Sequence, residues 1–306
     1  MKKTLLAVLS ITLLLPVTVA KAAPAPTPTI AVLDTAINSS LPIFKDKISA
    51  EVCLINWTTC PNGKSYMEGP GAAGLPTWMY LTNGWDHGNE MASIVLKNNP
   101  NVNIVFIKII GNTATGARQL APESAVYNAL NWVYANKDKY NIQAVTMSQG
   151  HHNLLTTTDY CPKTPTTEAS VKALLSVGIP TFFPTGNGRD YKRIDWPSCI
   201  DASISVGAVD QIGDITSYTN YDTAKVDFLA LGNMTATRPD GIEINVAGTS
   251  AAVQVAAAQW LMAKQAKQIT SVDGVYTLLA STASKATGRQ GSFVKLINLI
   301  GALNAK

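Results

Sequence analysis

From Thr29 onward the chain alternates between short apolar runs and stretches of helical periodicity. "TIAVLD" (29–34), "VNIVFIKII" (102–110), "IQAVTMS" (142–148), "IPTFFPTG" (179–186) and "SISVGAVD" (203–210) read as buried strands. Between and after them, "HGNEMASIVLKN" (87–98), "ESAVYNALNWVYANKDK" (123–139), "TEASVKALLSVG" (167–178) and "GTSAAVQVAAAQWLMAKQAK" (248–267) read as helices. Strands that are apolar on both faces must be covered on both faces. Strands linked through helices run parallel, because a parallel pair needs a long crossover. The expected fold class is therefore α/β, a mostly parallel central sheet with helices on both faces. In such sheets the chemistry gathers at the carboxyl ends of the strands. That criterion singles out Asp34, Ser148 and the turn at Gly186 and Asn187.

A sheet of this kind needs a large core, and a 306-residue chain that is 46% hydrophobic and 14% charged can supply one. The first 22 residues stand outside it. A basic "MKK", the apolar "TLLAVLSITLLLPVTVA" and "AKA" before Ala23 have the form of a secretory signal peptide. "APAPTP" (23–28) then reads as a short Pro-rich linker, and 29–306 as a single domain. Loss of Lys2, Lys3 and Lys21, with no acid, takes three charges from the formal +4. No basic stripe is left that would suggest nucleic acid, and no later run is long and apolar enough to suggest a membrane span. Residues 46–84, rich in Gly, Pro, Asn and Thr, read as a surface insertion. Cys53, Cys60, Cys161 and Cys199 are an even set in an exported chain. They suggest two disulfides, with Cys53–Cys60 and Cys161–Cys199 favoured among three pairings. Zinc would want tighter spacings with nearby histidines.

The reactive side chains fit one scheme. A hydroxyl nucleophile needs a base, and the base needs an orienting acid. Asp34 ends the first strand. His87 begins a helix, whose N-terminus disfavours the imidazolium and so favours a neutral base. Ser250 begins another helix, whose free N–H groups can face an oxyanion, and Asn187 in "GNG" offers a side-chain amide to the same end. Taken singly, each has a simpler reading. Asp34 and Asn187 are turn residues, His87 is a cap, and Ser250 is an N-cap.

Taken in order, the segments resemble the subtilisin-like serine peptidases from about Thr29 to the C-terminus. "AVLDTAINSSLP" is similar to the family's Asp segment, "DHGNEMASIV" to its His segment and "AVTMSQG" to its substrate strand. "FFPTGNGRD" resembles its oxyanion segment, "GTSAA" its nucleophile segment and "FVKLINLIGAL" its closing segment. The resemblance implies a three-layer subtilisin-like fold and a triad of Asp34, His87 and Ser250, with Asn187 as oxyanion donor. It places Ser148, Gln149, Gly150, Thr185 and Gly186 along the substrate, and Thr115 and Gly116 of "TATGARQ" on an edge that pairs with it.

The departures lie beside the key residues. Asn89, Glu90 and Met91 stand where the family usually has a second histidine and a valine, and no proline follows Ser250. The short stretch between the cleavage site and Thr29 leaves no room for the prodomain common among relatives, so folding is expected alone or with help in trans. The implied function is an exported serine endopeptidase, periplasmic or secreted and monomeric, acting on polypeptides without a catalytic cofactor. The resemblance also admits a structural calcium without naming its ligands. His151 and His152 read as loop residues. The alternative is a catalytically silent peptide-binding protein on the same fold. A lipase or esterase is less favoured, since the Gly-x-Ser-x-Gly elbow is absent.

Overall fold

The computed structural model describes residues 26–55, 59–80, 84–112, 117–119, 121–150, 161–287 and 293–305. Its strands are β1 (Thr29–Asp34), β2 (Ile48–Leu54), β3 (Tyr66–Glu68), β4 (Asn103–Lys108), β5 (Ile142–Met147), β6 (Thr181–Pro184), β7 (Ile204–Val209), β8 (Phe228–Leu231), β9 (Asn233–Thr237), β10 (Glu243–Ala247), β11 (Ser284–Thr287) and β12 (Phe293–Leu296). Its helices are α1 (Thr77–Tyr80), α2 (His87–Asn98), α3 (Glu123–Asn136), α4 (Pro165–Ser176), α5 (Thr249–Ala266), α6 (Val272–Thr282) and α7 (Leu299–Asn304).

Ten strands form one sheet in the order β11-β12-β8-β7-β6-β5-β1-β4-β2-β3. The ladder is parallel from β12 through to β2, and only the edge strands β3 and β11 pair antiparallel. β9 and β10 form a separate hairpin. The period of two along the strands divides the core. Ala31 and Leu33 of β1, with Val105 and Ile107 of β4, pack toward Ala129 and Leu130 of α3 and Leu174 of α4. Ile30 and Val32, with Ile104 and Phe106, pack toward Ile94 of α2 and Ala252 and Val255 of α5. The result is the expected three-layer α/β arrangement.

α5 is apolar nearly all round, and Ala251 through Ala258 are all buried. It crosses the sheet face beneath β5–β8 and also packs against α2, α6 and α7. A helix enclosed on every side has no use for a polar face, and the small alanines let it lie close to the strands. Its N-terminus points to the carboxyl ends of β1, β5 and β6.

One expectation is corrected. The stretch 46–84 is not wholly a surface insertion, because β2 pairs with β4 along Ile48–Cys53 inside the sheet. Its apolar pattern is broken by Glu51, which is buried yet satisfied: it accepts from Ser39 Oγ (2.6 Å) and from the Ala73 N–H (3.3 Å). Residues 26–28 of the linker are tied down as well. Pro26 and Thr27 carbonyls accept from Asn141 Nδ2, and the Pro28 carbonyl accepts the Asn103 N–H. The signal segment lies outside the described residues. Disulfides join Cys53 to Cys60 and Cys161 to Cys199. With sequence separations of 7 and 38, their loop closures stabilise by about 2 and about 4 kcal/mol on a chain-entropy account.

Candidate active site

The site grows from the end of β1. Asp34 is fully buried, and three donors converge on its Oδ1: the Thr35 N–H at 2.7 Å, His87 Nδ1 at 2.8 Å and Gln149 Nε2 at 3.0 Å. Its Oδ2 is buried with no hydrogen-bond partner among the described residues. Thr35 fixes the start of α2 relative to this carboxylate. Its hydroxyl donates to the Trp85 carbonyl (3.1 Å) and accepts the Gly88 N–H (2.9 Å), so the two-residue stretch between them, which includes His87, is held beside Asp34. Because Asp34 accepts at Nδ1, the neutral imidazole carries its proton there and leaves Nε2 as the basic nitrogen.

His87 titrates above its ordinary 6.5. Burial pushes the imidazole down, but the charge of Asp34 and its hydrogen bond push it up by more, while Arg118 opposes them. The helix N-terminus was expected to keep this base neutral; the adjacent carboxylate overrides it, because a full charge in contact outweighs a terminal dipole.

Ser250 is not the N-cap of α5. Gly248 holds that position, and Ser250 is the second helical residue. The capping is done from outside: Asn187 Oδ1 accepts both the Thr249 N–H and the Thr249 hydroxyl, each at 3.0 Å. With the oxygen so committed, the amide Nδ2 is the group left to donate toward solvent. The Ser250 N–H has no intrahelical acceptor at that position. A Cβ placed on Gly248 would lie 3.5 Å from Asn187 Nδ2 and 3.8 Å from the Ser250 nitrogen. The two donors thus border one small space, and glycine at 248 leaves it open. The Ser250 hydroxyl itself donates to the Ser148 carbonyl at 3.3 Å. No His87–Ser250 hydrogen bond is formed among the described residues; such contacts are often loose without substrate.

His87, Ser250 and Asn187 share a cleft of about 310 Å³ with Ser148, Gln149, Gly150, Gly186, Thr249, Arg118, Pro184 and Asp195. A larger cleft of about 620 Å³ lies by the β9–β10 hairpin and is lined by Lys97, Met234 and Val246 among others, with no histidine or carboxylate among the described residues beside its hydroxyl, Thr235. Gln149 lines the cleft but turns its amide inward to Asp34, and Thr185 is buried behind it, contributing its carbonyl to the Asp195 N–H. Thr115, Gly116, His151 and His152 lie outside the described residues.

Sequence reasoning passed over Lys108, Gln254 and Asp195. Lys108, the register partner of Asp34, is 1% exposed; its ammonium donates to the carbonyls of Thr35 and Ile110 and sits 4.2 Å from the Trp85 ring centre. Burial pushes it down to about 7, against the pull of Asp34. The visible signal was a lysine inside "VFIKII". Gln254 lies one turn after Ser250, in the stretch that lacks the family's proline. Its Nε2 donates to Ser148 Oγ (2.7 Å), which donates to the Ser250 carbonyl (3.0 Å). A side-chain bridge thereby ties the first turn of α5 to the segment after β5.

The altered His segment is absorbed by packing. Asn89 accepts the Asn38 N–H and donates to the Thr237 carbonyl. Glu90 is 7% exposed and raised to about 7, mainly by burial and then by Asp86, with His87 and Arg238 pulling the other way and Asp34 adding to the rise. The unfolded chain releases this proton near 4.5. Stability from the protonated carboxyl is therefore full below about 4.5, lost as pH rises toward 7 and absent above. Glu90→Gln is expected to flatten this: between pH 4.5 and 8, wild type should lose on the order of 1–2 kcal/mol more than the variant, with solvent screening allowed for. Urea unfolding at several pH values measures it, and parallel curves would contradict it.

Among the described residues no group of three or more His, Cys, Asp or Glu is placed to hold a metal ion, and no calcium ligands are assigned. Also among them, no helix is long and apolar enough to cross a membrane. The pattern of the subtilase family matches residues 26–295. The fold is shared with the epidermin leader peptide processing serine protease of Staphylococcus aureus, at TM-score 0.73 and 16% identity over 92% of this chain and 77% of that one. It is shared with the nisin leader peptidase of Lactococcus lactis, at TM-score 0.70 and 15% identity over 92% and 88%. A cold-adapted subtilisin-like serine proteinase matches at TM-score 0.65 and 18% identity over 88% and 87%.

Proposed function

The chain belongs to the subtilase family, and from that premise we propose that it is an exported serine endopeptidase whose triad is Asp34, His87 and Ser250. The observation that carries the reading is the convergence of an Asp34-bound imidazole, a hydroxyl and two free N–H donors on one cleft. In the proposed reaction the Ser250 hydroxyl attacks the scissile carbonyl while His87 Nε2 takes its proton. The negative charge that forms on the carbonyl oxygen is met by Asn187 Nδ2 and the Ser250 N–H. A donor of this type contributes about 10²–10³ in rate. Asp34 stabilises the imidazolium, which protonates the leaving amine. Water, deprotonated by His87, then releases the acyl group from Ser250.

Polypeptide is the substrate, no cofactor takes part, and the protein works as a monomer. Two disulfides and the signal-like first 22 residues support export. The Asp34–His87 hydrogen bond and the two N–H groups bordering the space at Gly248 support catalysis over silent peptide binding. An organophosphonate that reacts with hydroxyl nucleophiles is expected to label Ser250 and to stop peptide cleavage. Folded wild-type protein that neither cleaves nor is labelled would refute the reading.

A further inference from the structure

Of the three donors on Asp34 Oδ1, the Thr35 N–H is a backbone group and His87 Nδ1 belongs to the base itself. The third, Gln149 Nε2 at 3.0 Å, is a side chain from the end of another strand, 115 residues away. The amide can face only one way, because turning it over would set its oxygen against the carboxylate. Nε2 also lies 3.4 Å from His87 Nδ1. Both nitrogens donate to the same oxygen, so this approach is a meeting of two N–H groups and not a bond between them. The backbone on either side of Gln149 is fixed. Ser148 Oγ donates to the Ser250 carbonyl and accepts from Gln254 Nε2. At Gly150 a Cβ would come within 3.0 Å of the Trp196 carbonyl. Gln149 is 9% exposed, which leaves little water to screen its amide from Asp34 and His87.

The charged groups around the imidazole come from several elements. Asp34 lies against it from β1, Asp86 caps α2, and Glu90 lies one turn along that helix. Arg118 and Asp195 line the cleft. Lys108 of β4 sends its ammonium to the Thr35 and Ile110 carbonyls. Burial and Arg118 push His87 down, while Asp34 and Glu90 push it up and prevail. Gln149 bears no charge, yet it acts on this balance in two ways. Its N–H takes up part of the Oδ1 charge that would otherwise hold an imidazolium, and its positive end meets the Nδ1–H directly. Each effect disfavours a proton on Nε2. We propose that Gln149 is a positioning residue for the reaction: its amide competes with the imidazole for Asp34 Oδ1 and keeps His87 a free base to lower pH than Asp34 alone would allow. The inference rests on the reading of Asp34, His87 and Ser250 as a triad. Its consequence is peptide cleavage that persists further into acidic solution.

The test is Gln149→Met, which keeps the reach of the side chain and removes the donor. In a plot of kcat/KM against pH, the acid limb of the variant is expected at higher pH than that of wild type. The distance should be about half a pH unit to one unit, part of the worth of a hydrogen bond to a charged group. Gln149→Leu should repeat the movement if the methionine variant folds poorly. The chain has three histidines, so NMR of the ring nitrogens can follow His87 in the whole protein, identified by the signals lost in His87→Gln. Its titration should move in the same direction with no substrate present. A residue that only filled space would change the rate or the melting temperature and leave the limb in place. A limb and a ring titration that stay put, or move to lower pH, in a folded variant overturn the assignment. A rise in KM with the limb unmoved overturns it too, and makes Gln149 a substrate contact. The two readings fail separately. If wild type cleaves nothing and Ser250 resists labelling, the peptidase reading falls, and the ring titration still decides whether Gln149 competes for Asp34. If Ser250 is labelled and the limbs of wild type and variant coincide, only the role of Gln149 falls.

Discussion

Ser250→Ala is expected to lower kcat by about a million-fold, a size established for the nucleophile of a peptidase from this same family and not calculated from these distances. The structure adds what should not change. Ser250 sits at the second position of α5, and the cap is supplied by Asn187. Alanine there removes a single side-chain hydrogen bond, the one to the Ser148 carbonyl, and is a better helix former than serine. The variant should therefore melt within a few degrees of wild type and bind peptide with little change. Residues of a catalytic triad act as a unit, so if Asp34, His87 and Ser250 form one, adding His87→Ala to Ser250→Ala should cost little more. Steady-state kinetics with an internally quenched peptide, beside a thermal melt of each protein, tests this. Turnover that survives Ser250→Ala would remove the hydroxyl from the mechanism. Wild type with no turnover at all would favour the binding protein.

Asp34→Asn is expected to lower kcat by up to about 10⁴-fold at neutral pH, the loss known for a triad Asp-to-Asn exchange in which the imidazole tautomer also switches. Three donors meet at Oδ1, and Oδ2 has no partner among the described residues. An amide will keep its oxygen toward those donors, because its NH₂ group cannot accept them. The imidazole then keeps its tautomer, and what is lost is the charge that stabilises the imidazolium. That gives the variant a signature. With Asp34 neutral, burial of His87 is no longer outweighed, so the imidazole should fall from above its ordinary 6.5 to below it. The acid limb of the pH–rate profile should shift to lower pH even as the rate collapses. A limb that stays in place would place the titrating group elsewhere.

The layered fold was legible because its strands are uninterrupted apolar runs and its helices have clear periodicity. β2 was not, because Glu51 sits in its buried face and Gly- and Pro-rich turns follow at once. A buried charge satisfied by a distant hydroxyl and backbone N–H leaves no local trace. The same reason hid Lys108, whose partners are carbonyls supplied by the fold, and Asp195, which reaches the cleft only after the chain has returned from β6. Asp34, His87, Asn187 and Ser250 were singled out through their flanking motifs. Gln254 shows the limit of such matching. A missing proline reads as a defect in a motif, yet in space the replacement joins two segments 106 residues apart.

That separation is general to the site. Asp34 meets Gln149 across 115 residues, Ser148 meets Ser250 across 102, and Thr249 meets Asn187 across 62. No continuous stretch of chain holds the site, so it comes into being only when β1, α2, β5, β6 and α5 have all docked. Long closures of this kind slow folding, since chain entropy is given up before the contacts that reward it exist. They also make the site all-or-none. A half-folded chain carries the serine and the histidine but not their geometry, so cleavage is expected only from the folded chain. The appearance of cleavage during refolding would mark the last docking event and time the completion of the sheet.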